Sequence, residues 1–235
     1  MTNSAPTVLI TGANRGIGLE FARQYLLEGW RVIAACRAPE HAQQLHQLAS
    51  GCAGCLNTLA LDVSVAPSIA QAAEKLDGVP IDLLLNCAGI MGGARQSLGQ
   101  IDYADWARVL EVNTLGPVRV LEAFRTHLER SARRVAVTLT SAMGSIAENT
   151  SGGWVAYRTS KAALNMAMKC AALDLAARRI VCVVMHPGWV RTDMGGAQAP
   201  LSPSESVAAM RRIIGALGSA DSGKFLNYDG GNHPW

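Results

Sequence analysis

The stretch Thr7-Val-Leu-Ile-Thr-Gly-Ala-Asn-Arg-Gly-Ile-Gly18 runs from an apolar segment into a cluster of three glycines, and it decides the fold. The apolar, β-branched segment predicts a buried strand. A helix is predicted directly after it because apolar residues recur there at three- and four-residue spacing, namely Ile17, Phe21, Ala22, Tyr25 and Leu26. Gly29 ends that helix before a second apolar run, so we expect a compact βαβ unit.

Short runs of β-branched or Leu-rich sequence alternate with helical patterns along the chain. These runs are Thr7 to Thr11, Arg31 to Cys36, Asn57 to Asp62, Ile81 to Asn86, Arg134 to Thr140, Ile180 to Met185 and Lys224 to Asn227. Alternating strands and helices predict a parallel sheet with helices on both faces. No linker or repeat divides the 235 residues, so we expect one α/β domain over residues 1–235.

The composition argues against several classes of protein. The chain has 21 Lys and Arg against 18 Asp and Glu, a net charge of +3, and its basic residues form no stripe, so we expect no nucleic-acid partner. Its apolar runs are shorter than the roughly 20 residues of a membrane helix, and no secretory signal is recognisable. We therefore expect a cytoplasmic protein that does not bind a membrane.

Cys52 and Cys55 form a lone CxxC pair among six cysteines. A zinc site needs a second pair of ligands, and a thioredoxin-like redox site needs the pair at a helix start after a strand. Neither pattern occurs here, and His41 and His46 are the only nearby imidazoles. A surface turn is the favoured interpretation, metal or redox function is the minor alternative, and we expect no metal site.

Gly12, Gly16 and Gly18 follow the first predicted strand with the spacing G-x-x-x-G-x-G. Such glycines permit a tight turn and a close backbone approach, and the helix that follows points its positive N-terminus at a bound phosphate. A glycine cluster alone is a weak signal and fits a plain loop. Between a strand and a helix, it indicates dinucleotide binding.

The end of the second predicted strand indicates which dinucleotide is bound. NAD sites commonly carry an acidic residue there, about 20 residues beyond the glycines, to hold the ribose hydroxyls. This chain has Arg37 and no carboxylate, and Arg37 and Arg15 are both placed to bind a 2′-phosphate. We therefore expect NADP(H) to be preferred over NAD(H); the alternative is that both arginines are solvated surface residues.

Tyr157 and Lys161 stand four residues apart, on one face of a predicted helix. A phenol titrates near pH ~10, and an ammonium one turn away favours the phenolate and lowers that pKa. Such a pair is common by chance, but Ser141 ends the fifth predicted strand and is placed to give a second donor to a substrate carbonyl oxygen. The same helical segment, Tyr157 to Ala177, is apolar nearly all round, so we expect it to be buried by the sheet alone or by a partner subunit as well.

These motifs resemble those of the classical short-chain dehydrogenases/reductases. The resemblance rests on Thr11 to Gly18, Asn86-Cys-Ala-Gly89, Asn113, Ser141, Tyr157-x-x-x-Lys161 and Pro187-Gly188, which occur in the family's order and span essentially the whole chain. Within the family, Tyr157 to Asn165, His186 to Thr192 and the C-terminal Gly223 to Trp235 look like the C-factor and sniffer-type carbonyl reductase branch.

The resemblance implies a Rossmann-type fold, a doubly wound, seven-stranded parallel sheet in a three-layer α/β/α arrangement. It also implies four catalytic residues: Tyr157 as general acid, Lys161 binding the nicotinamide ribose, Ser141 orienting the carbonyl, and Asn113 holding a water that links Lys161 to solvent. The expected cofactor contacts, from the motifs and the resemblance together, are Gly12, Asn14, Arg15, Gly16, Ile17, Gly18, Arg37, Asp62, Val63, Asn86, Ala88, Gly89, Tyr157, Lys161, Pro187, Gly188, Val190 and Thr192.

We therefore expect an NADPH-dependent enzyme that reduces an aldehyde or ketone to an alcohol and assembles as a dimer or tetramer. The alternative is a nucleotide-binding signalling or regulatory protein of the C-factor type with little turnover. The intact Asn113, Ser141, Tyr157 and Lys161 set favours the enzyme. A sugar-nucleotide epimerase would need a longer C-terminal substrate domain. Asp193 to Pro203 is too short for the helical lid of many relatives, so we expect an open site.

Overall fold

The computed structural model of the chain describes residues 5–52 and 54–235. Within them lie the strands β1 (Thr7–Thr11), β2 (Arg31–Cys36), β3 (Leu56–Ala60), β4 (Leu83–Asn86), β5 (Val135–Leu139), β6 (Val181–His186) and β7 (Phe225–Asn227). The α-helices there are α1 (Gly16–Leu27), α2 (Gln43–Ser50), α3 (Ala66–Lys75), α4 (Tyr103–Leu110), α5 (Gly116–Ala123), α6 (Arg125–Glu129), α7 (Val155–Asp174) and α8 (Pro203–Ala216).

The strands form one parallel sheet in the order β3-β2-β1-β4-β5-β6-β7. The order reverses between β1 and β4, where Thr11 pairs with Asn86 at the carboxyl ends of the two strands. In open α/β sheets, ligands bind outside the carboxyl ends of the strands at such a reversal. The predicted Rossmann-type, seven-stranded parallel sheet is confirmed, and its topology places the binding cleft beside Thr11 and Asn86.

The sheet separates two apolar cores. Neighbouring strand residues point to opposite faces, so Val8 and Ile10 pack in one core while Leu9 packs in the other. The first core includes Phe21 of α1 and Met210 of α8, and the second includes residues of α3, α5 and α7. Helices therefore cover both faces, which is the expected three-layer arrangement.

The predicted strand limits agree with the structure to within two residues. β1 and β2 have the predicted limits, whereas β3 ends at Ala60 and not at Asp62. The Asp62 carboxylate instead accepts hydrogen bonds from the backbone and hydroxyl of Ser64, at 2.9 and 2.6 Å, which turns the chain toward α3. An Asx turn of this kind competes with strand pairing.

The long helix α7 is buried on one face. Leu164, Met168 and Ala172 pack in the core beneath the sheet, whereas Met166 and Leu173 are 65% and 68% exposed. The sequence predicted a helix buried by the sheet alone or by a partner subunit as well, and within this chain the sheet buries one face only. The outward apolar side chains have no cover from other elements of the described chain.

Two remaining expectations concern a surface turn and the membrane. Cys52 and Cys55 lie in the turn between α2 and β3, where the Cys55 N–H donates to the Cys52 carbonyl at 3.3 Å.

Among residues 5–52 and 54–235, no helix has the length and apolar character needed to cross a membrane.

Candidate active site

The glycine loop between β1 and α1 is tightly closed. Gly12 and Gly16 have left-handed backbone, with φ of +65° and +56°. A Cβ on Gly12 would lie 2.8 Å from the Cα of Ala88, and one on Gly18 would lie 2.4 Å from the carbonyl oxygen of Gly12. Both distances are far inside van der Waals contact, so only glycine at these positions lets the loop close on itself and against Ala88.

The N-terminus of α1 is open for an anion. Arg15 precedes the helix in extended conformation, its side chain makes no capping hydrogen bond, and the first turn contains no acidic residue. The first N–H groups of a helix have no partners within it, and its dipole favours negative charge at that end. The loop therefore fits the pyrophosphate of a dinucleotide.

Thr11 joins the glycine loop to Cys87 and Ala88, which follow β4. The sequence did not predict this role. Its hydroxyl accepts hydrogen bonds from the N–H groups of Cys87 and Ala88, at 3.1 and 3.3 Å. Thr11 is 1% exposed, so this contact is buried at the carboxyl end of β1. It holds Ala88 against Gly12, which is how two segments distant in sequence form one wall.

The residues expected around the adenosine lie at the carboxyl ends of β3 and β4. Val63 is buried, and a Cβ on Gly116 would lie 2.9 Å from its carbonyl oxygen. The Asn86 amide donates to the Pro117 carbonyl at 3.3 Å and to the Thr138 hydroxyl at 3.4 Å. Its buried Oδ1 has no partner among the described residues, which leaves an acceptor at the cleft.

The two arginines expected to select the cofactor are both on the surface. Arg37 follows β2 directly and is exposed. The Arg15 guanidinium lies 3.4 Å from the Asp193 carboxylate, and both side chains are largely exposed. An exposed pair of this kind contributes little energy, so the contact with Asp193 does not fix the Arg15 side chain in place.

The segment after β6 folds back against the glycine loop. Gly188 has φ of +80°, and the Pro187 carbonyl accepts a hydrogen bond from the Ser206 hydroxyl at 2.6 Å. Val190 forms an isolated bridge with Leu201. A Cβ on Gly16 would lie 3.4 Å from the Thr192 methyl, so Thr192 contacts the glycine loop. Residues 187–202, all of them described, contain no helix, which agrees with an open site.

Tyr157 and Ser141 meet at the carboxyl end of β5. Tyr157 lies in the first turn of α7 and is 6% exposed, and its phenol is near enough to the Ser141 hydroxyl for that group to act on its pKa. Burial raises the pKa of Tyr157, and the Ser141 hydrogen bond lowers it by less. The sequence predicted a pKa lowered by Lys161; the structure gives the opposite direction, because loss of hydration disfavours the phenolate.

Lys161 is buried one helical turn beyond Tyr157. Its Nζ lies 5.9 Å from the centroid of the Tyr157 ring and donates a hydrogen bond to the Leu139 carbonyl at 2.9 Å. Burial lowers the pKa of Lys161 to about 8. A Cβ on Gly89 would lie 3.8 Å from the Lys161 Nζ, so the segment after β4 reaches α7.

Asn113 is fully buried in a π-helical turn, Glu111–Leu115, between α4 and α5. Its Oδ1 accepts the Ile90 N–H at 2.8 Å, and its Nδ2 donates to the Ile90 carbonyl at 2.8 Å. Nδ2 also donates to the Ser160 hydroxyl at 3.0 Å. The side chain therefore ties the segment after Gly89 to α7, while the expected role in holding a water stays a prediction.

The comparisons with known proteins agree with this geometry. The family model for short chain dehydrogenases matches residues 6–200. The chain belongs to the short-chain dehydrogenase family. This short-chain dehydrogenase is 48% identical over 156 residues to C-signal of Myxococcus xanthus, a match that covers 66% of this chain and 93% of that protein.

Two solved structures are similar to this short-chain dehydrogenase over nearly its whole length. The carbonyl reductase Sniffer of D. melanogaster has a TM-score of 0.93 at 33% identity, covering 98% of this chain and 100% of that one. The NADPH-bound carbonyl reductase from chicken fatty liver has a TM-score of 0.91 at 36% identity, covering 98% and 99%. The resemblance to the C-factor and sniffer type is confirmed, and the chain is an oxidoreductase.

Proposed function

We propose that this short-chain dehydrogenase reduces an aldehyde or ketone to an alcohol with NADPH, and that Tyr157 is the general acid. The observation that carries the proposal is the buried Tyr157 phenol beside Ser141 at the carboxyl end of β5 and one helical turn from Lys161. Beside it lie a glycine cradle and an open helix N-terminus that fit a dinucleotide. The NADPH-bound state of the chicken carbonyl reductase supports the cofactor assignment.

Ser141 and Tyr157 act together on the substrate oxygen in this proposal. Both hydroxyls donate hydrogen bonds to the carbonyl oxygen, where negative charge develops as the carbonyl is reduced. Bound NADPH supplies the hydride that reaches the carbonyl carbon. Tyr157 then gives its proton to the oxygen; the phenol is protonated at neutral pH because burial raises its pKa.

Lys161 and Asn113 complete the proposed site. With a pKa of about 8, Lys161 carries its charge at neutral pH and exchanges its proton within a narrow range above it. An ammonium has three donors, so Lys161 can keep its hydrogen bond to the Leu139 carbonyl and also bind ribose hydroxyls. Asn113 keeps the segment after Gly89 in register with α7 through Ile90 and Ser160.

The preference for NADPH is proposed to come from Arg37 and Arg15. Both are exposed, Arg15 in the glycine loop and Arg37 directly after β2. No acidic residue ends β2 to repel a 2′-phosphate. Arg37→Glu should reverse the preference, as measured by kcat/KM with NADPH and NADH. A variant that still prefers NADPH by the wild-type ratio would contradict this role of Arg37.

The deciding experiment follows NADPH absorbance with a panel of aldehydes, ketones, quinones and α-dicarbonyls. Wild-type protein should oxidise NADPH with at least one of them, and Tyr157→Phe should lose about 10²- to 10⁴-fold in kcat because only the hydroxyl is removed. Tyr103→Phe is the matched control, since Tyr103 is 70% exposed at the start of α4. Equal activity of Tyr157→Phe and wild type would refute the general-acid role.

A signalling or regulatory role is the second candidate, favoured by the 48% identity to C-signal. Such a protein needs the cofactor cradle but not turnover. Binding of NADPH, measured by fluorescence, without oxidation of any panel substrate would favour this candidate over the reductase.

We also propose that the chain forms a homo-oligomer. The outward face of α7 exposes Met166 and Leu173, and Leu115 at the end of the π-helical turn is 45% exposed. Burying such side chains against a second copy removes apolar area from water. Size-exclusion chromatography with light scattering should give a dimer or tetramer, and a monomer at all concentrations would contradict it.

A further inference from the structure

Gln96, in the loop between β4 and α4, contacts the first turn of the helix that carries Tyr157. The residue is buried, with 2% of its surface exposed. Its backbone carbonyl accepts a hydrogen bond from the Val155 N–H at 3.1 Å, and its side-chain Oε1 accepts one from the Tyr157 N–H at 3.0 Å. A residue 61 positions earlier in the chain therefore binds two of the first N–H groups of α7.

The helix α7 has no side-chain cap of its own. Trp154 occupies the capping position in left-handed conformation, with φ of +50°, and its side chain makes no capping hydrogen bond. The first N–H groups of a helix lack partners inside it, and a buried N–H without an acceptor is costly. Gln96 supplies the acceptors that Trp154 does not.

The amide nitrogen of Gln96 holds its own loop. Nε2 donates to the Met91 carbonyl at 2.9 Å and to the Gly93 carbonyl at 2.8 Å. The reversed amide would put an NH₂ group against the Tyr157 N–H, so these partners fix the orientation of the side chain. The same amide thus connects the loop to α7.

The loop is also tied to α4. Gly92 has φ of +83°, and a Cβ there would lie 3.1 Å from the Gln96 Nε2 and 2.7 Å from the Val109 side chain. The Gly93 N–H donates to the Asp105 carboxylate at 2.6 Å. Residues 91–96 are therefore attached to α4 through Gly93 and to the start of α7 through Gln96.

We propose that Gln96 is the positioning residue for Tyr157. It fixes the first turn of α7 and couples the location of the Tyr157 hydroxyl to the conformation of residues 91–96, which continue from the cofactor segment at Gly89. Gln96 acts through the Tyr157 backbone and has no role in proton transfer itself. The inference rests on the proposed function, in which Tyr157 gives the proton.

Two substitutions separate the contacts of Gln96. Gln96→Met keeps the length of the side chain and removes the acceptor and both donors. Gln96→Glu keeps an acceptor for the Tyr157 N–H, favoured at a helix N-terminus, but loses the donors to Met91 and Gly93. Ser97→Ala is the matched control because Ser97 is the exposed neighbour in the same loop. Each variant is assayed for kcat, KM for NADPH and the pH dependence of kcat.

Gln96→Met should lower kcat by about tenfold to a hundredfold, because a small displacement of a reacting group has effects of that size. Its KM for NADPH should stay within about twofold of wild type, since the glycine cradle is untouched. The alkaline fall in kcat should shift, because the separation of Tyr157 from Ser141 changes. Gln96→Glu should recover part of the lost kcat, and Ser97→Ala should match wild type.

Wild-type kcat and pH dependence in Gln96→Met would overturn the proposal. So would an equal loss in both Gln96 variants, accompanied by a raised KM for NADPH, which marks a purely structural role. The Val155 N–H is bound by the Gln96 backbone carbonyl and should stay protected in both variants. Hydrogen exchange of the Tyr157 N–H gives a readout independent of turnover: Gln96→Met should lose its protection and Gln96→Glu should keep it. Unchanged protection in Gln96→Met also overturns the proposal.

The two proposals fail in different ways. If Tyr157→Phe is as active as wild type, the general-acid function is wrong, whatever the Gln96 variants do. If Tyr157→Phe is inactive but Gln96→Met equals wild type in kcat, pH dependence and hydrogen exchange, only the positioning role is wrong. Should Gln96→Met not fold, the same measurements on Gln96→Glu decide, with loss of Tyr157 protection as the contradicting result.

Discussion

The Lys161 ammonium donates a hydrogen bond to the backbone carbonyl of Leu139, 2.9 Å away, at the last residue of β5. This contact ties α7 to the strand that leads into Ser141. It also holds a charge in a buried place, which is why the pKa of Lys161 falls to about 8. The position of the charge is therefore obtained at a cost in stability.

Lys161→Met should make the protein more stable and less active. Below pH 8 the wild type keeps the Lys161 charge buried, whereas the unfolded chain holds that charge in water. The free energy of unfolding of the variant at pH 7 should therefore exceed that of wild type by on the order of 2 kcal/mol, after the loss of the Leu139 hydrogen bond is subtracted. Between pH 8 and 10.5 the folded lysine is neutral while the unfolded one is still protonated, so the stability of wild type should rise toward that of the variant. Urea unfolding at pH 7 and 10 measures both, and a less stable variant at pH 7 would contradict the buried-charge account.

Ser141→Ala should shift the pH dependence of reduction upward. The Ser141 hydrogen bond lowers the pKa of Tyr157, so its removal leaves the effect of burial unopposed and raises that pKa further. The alkaline fall in kcat should move to higher pH, while kcat itself falls by about 10² or more because one donor to the carbonyl oxygen is lost. A pH profile from 6 to 11 tests this, and a downward shift would be inconsistent with the hydrogen bond.

Gly12→Ala should abolish tight NADPH binding. Its Cβ would meet the Ala88 Cα at 2.8 Å, so the loop must open away from Cys87 and Ala88. Gly78→Ala is the matched control, since Gly78 has a similar φ of +79° and nothing within 4 Å of a Cβ. Both variants have left-handed strain of about 1 kcal/mol, but only Gly12→Ala should lose cofactor affinity. Fluorescence titration with NADPH measures it, and equal affinities in the two variants would rule out the close-approach argument.

Acid should destabilise the fold through His186. Burial, and then repulsion from His233, lower the pKa of His186 to about 4, and its Nδ1 has no hydrogen-bond partner among the described residues. Between pH 6.5 and 4 the unfolded histidine is protonated while the folded one is not, so stability falls as the pH drops, by about 2 kcal/mol at pH 4.5. His186→Leu should narrow the difference in Tm between pH 7 and 4.5. An unchanged difference would assign the acid sensitivity to other groups.

The elements that sequence reasoning located best are those fixed by local chemistry. The β-branched runs gave β1 and β2 with their limits, and the glycines between Thr11 and α1 indicated the phosphate loop. Limits were less accurate where a side chain competes with strand pairing, as Asp62 does at the end of β3. The direction of the Tyr157 pKa was wrong, because burial outweighs the hydrogen bond from Ser141 and no sequence spacing reports burial.

By itself, the sequence determined the parallel α/β architecture, the glycine cradle and the set of Asn113, Ser141, Tyr157 and Lys161. Each of these depends on residue type and short spacing, which the chain carries wherever it folds. Only the tertiary structure decided what holds those residues in place. Thr11 binding the Ala88 N–H, Lys161 binding the Leu139 carbonyl and Gln96 capping α7 all join segments far apart in sequence, where buried backbone groups need acceptors and donors that only the packed fold brings within reach.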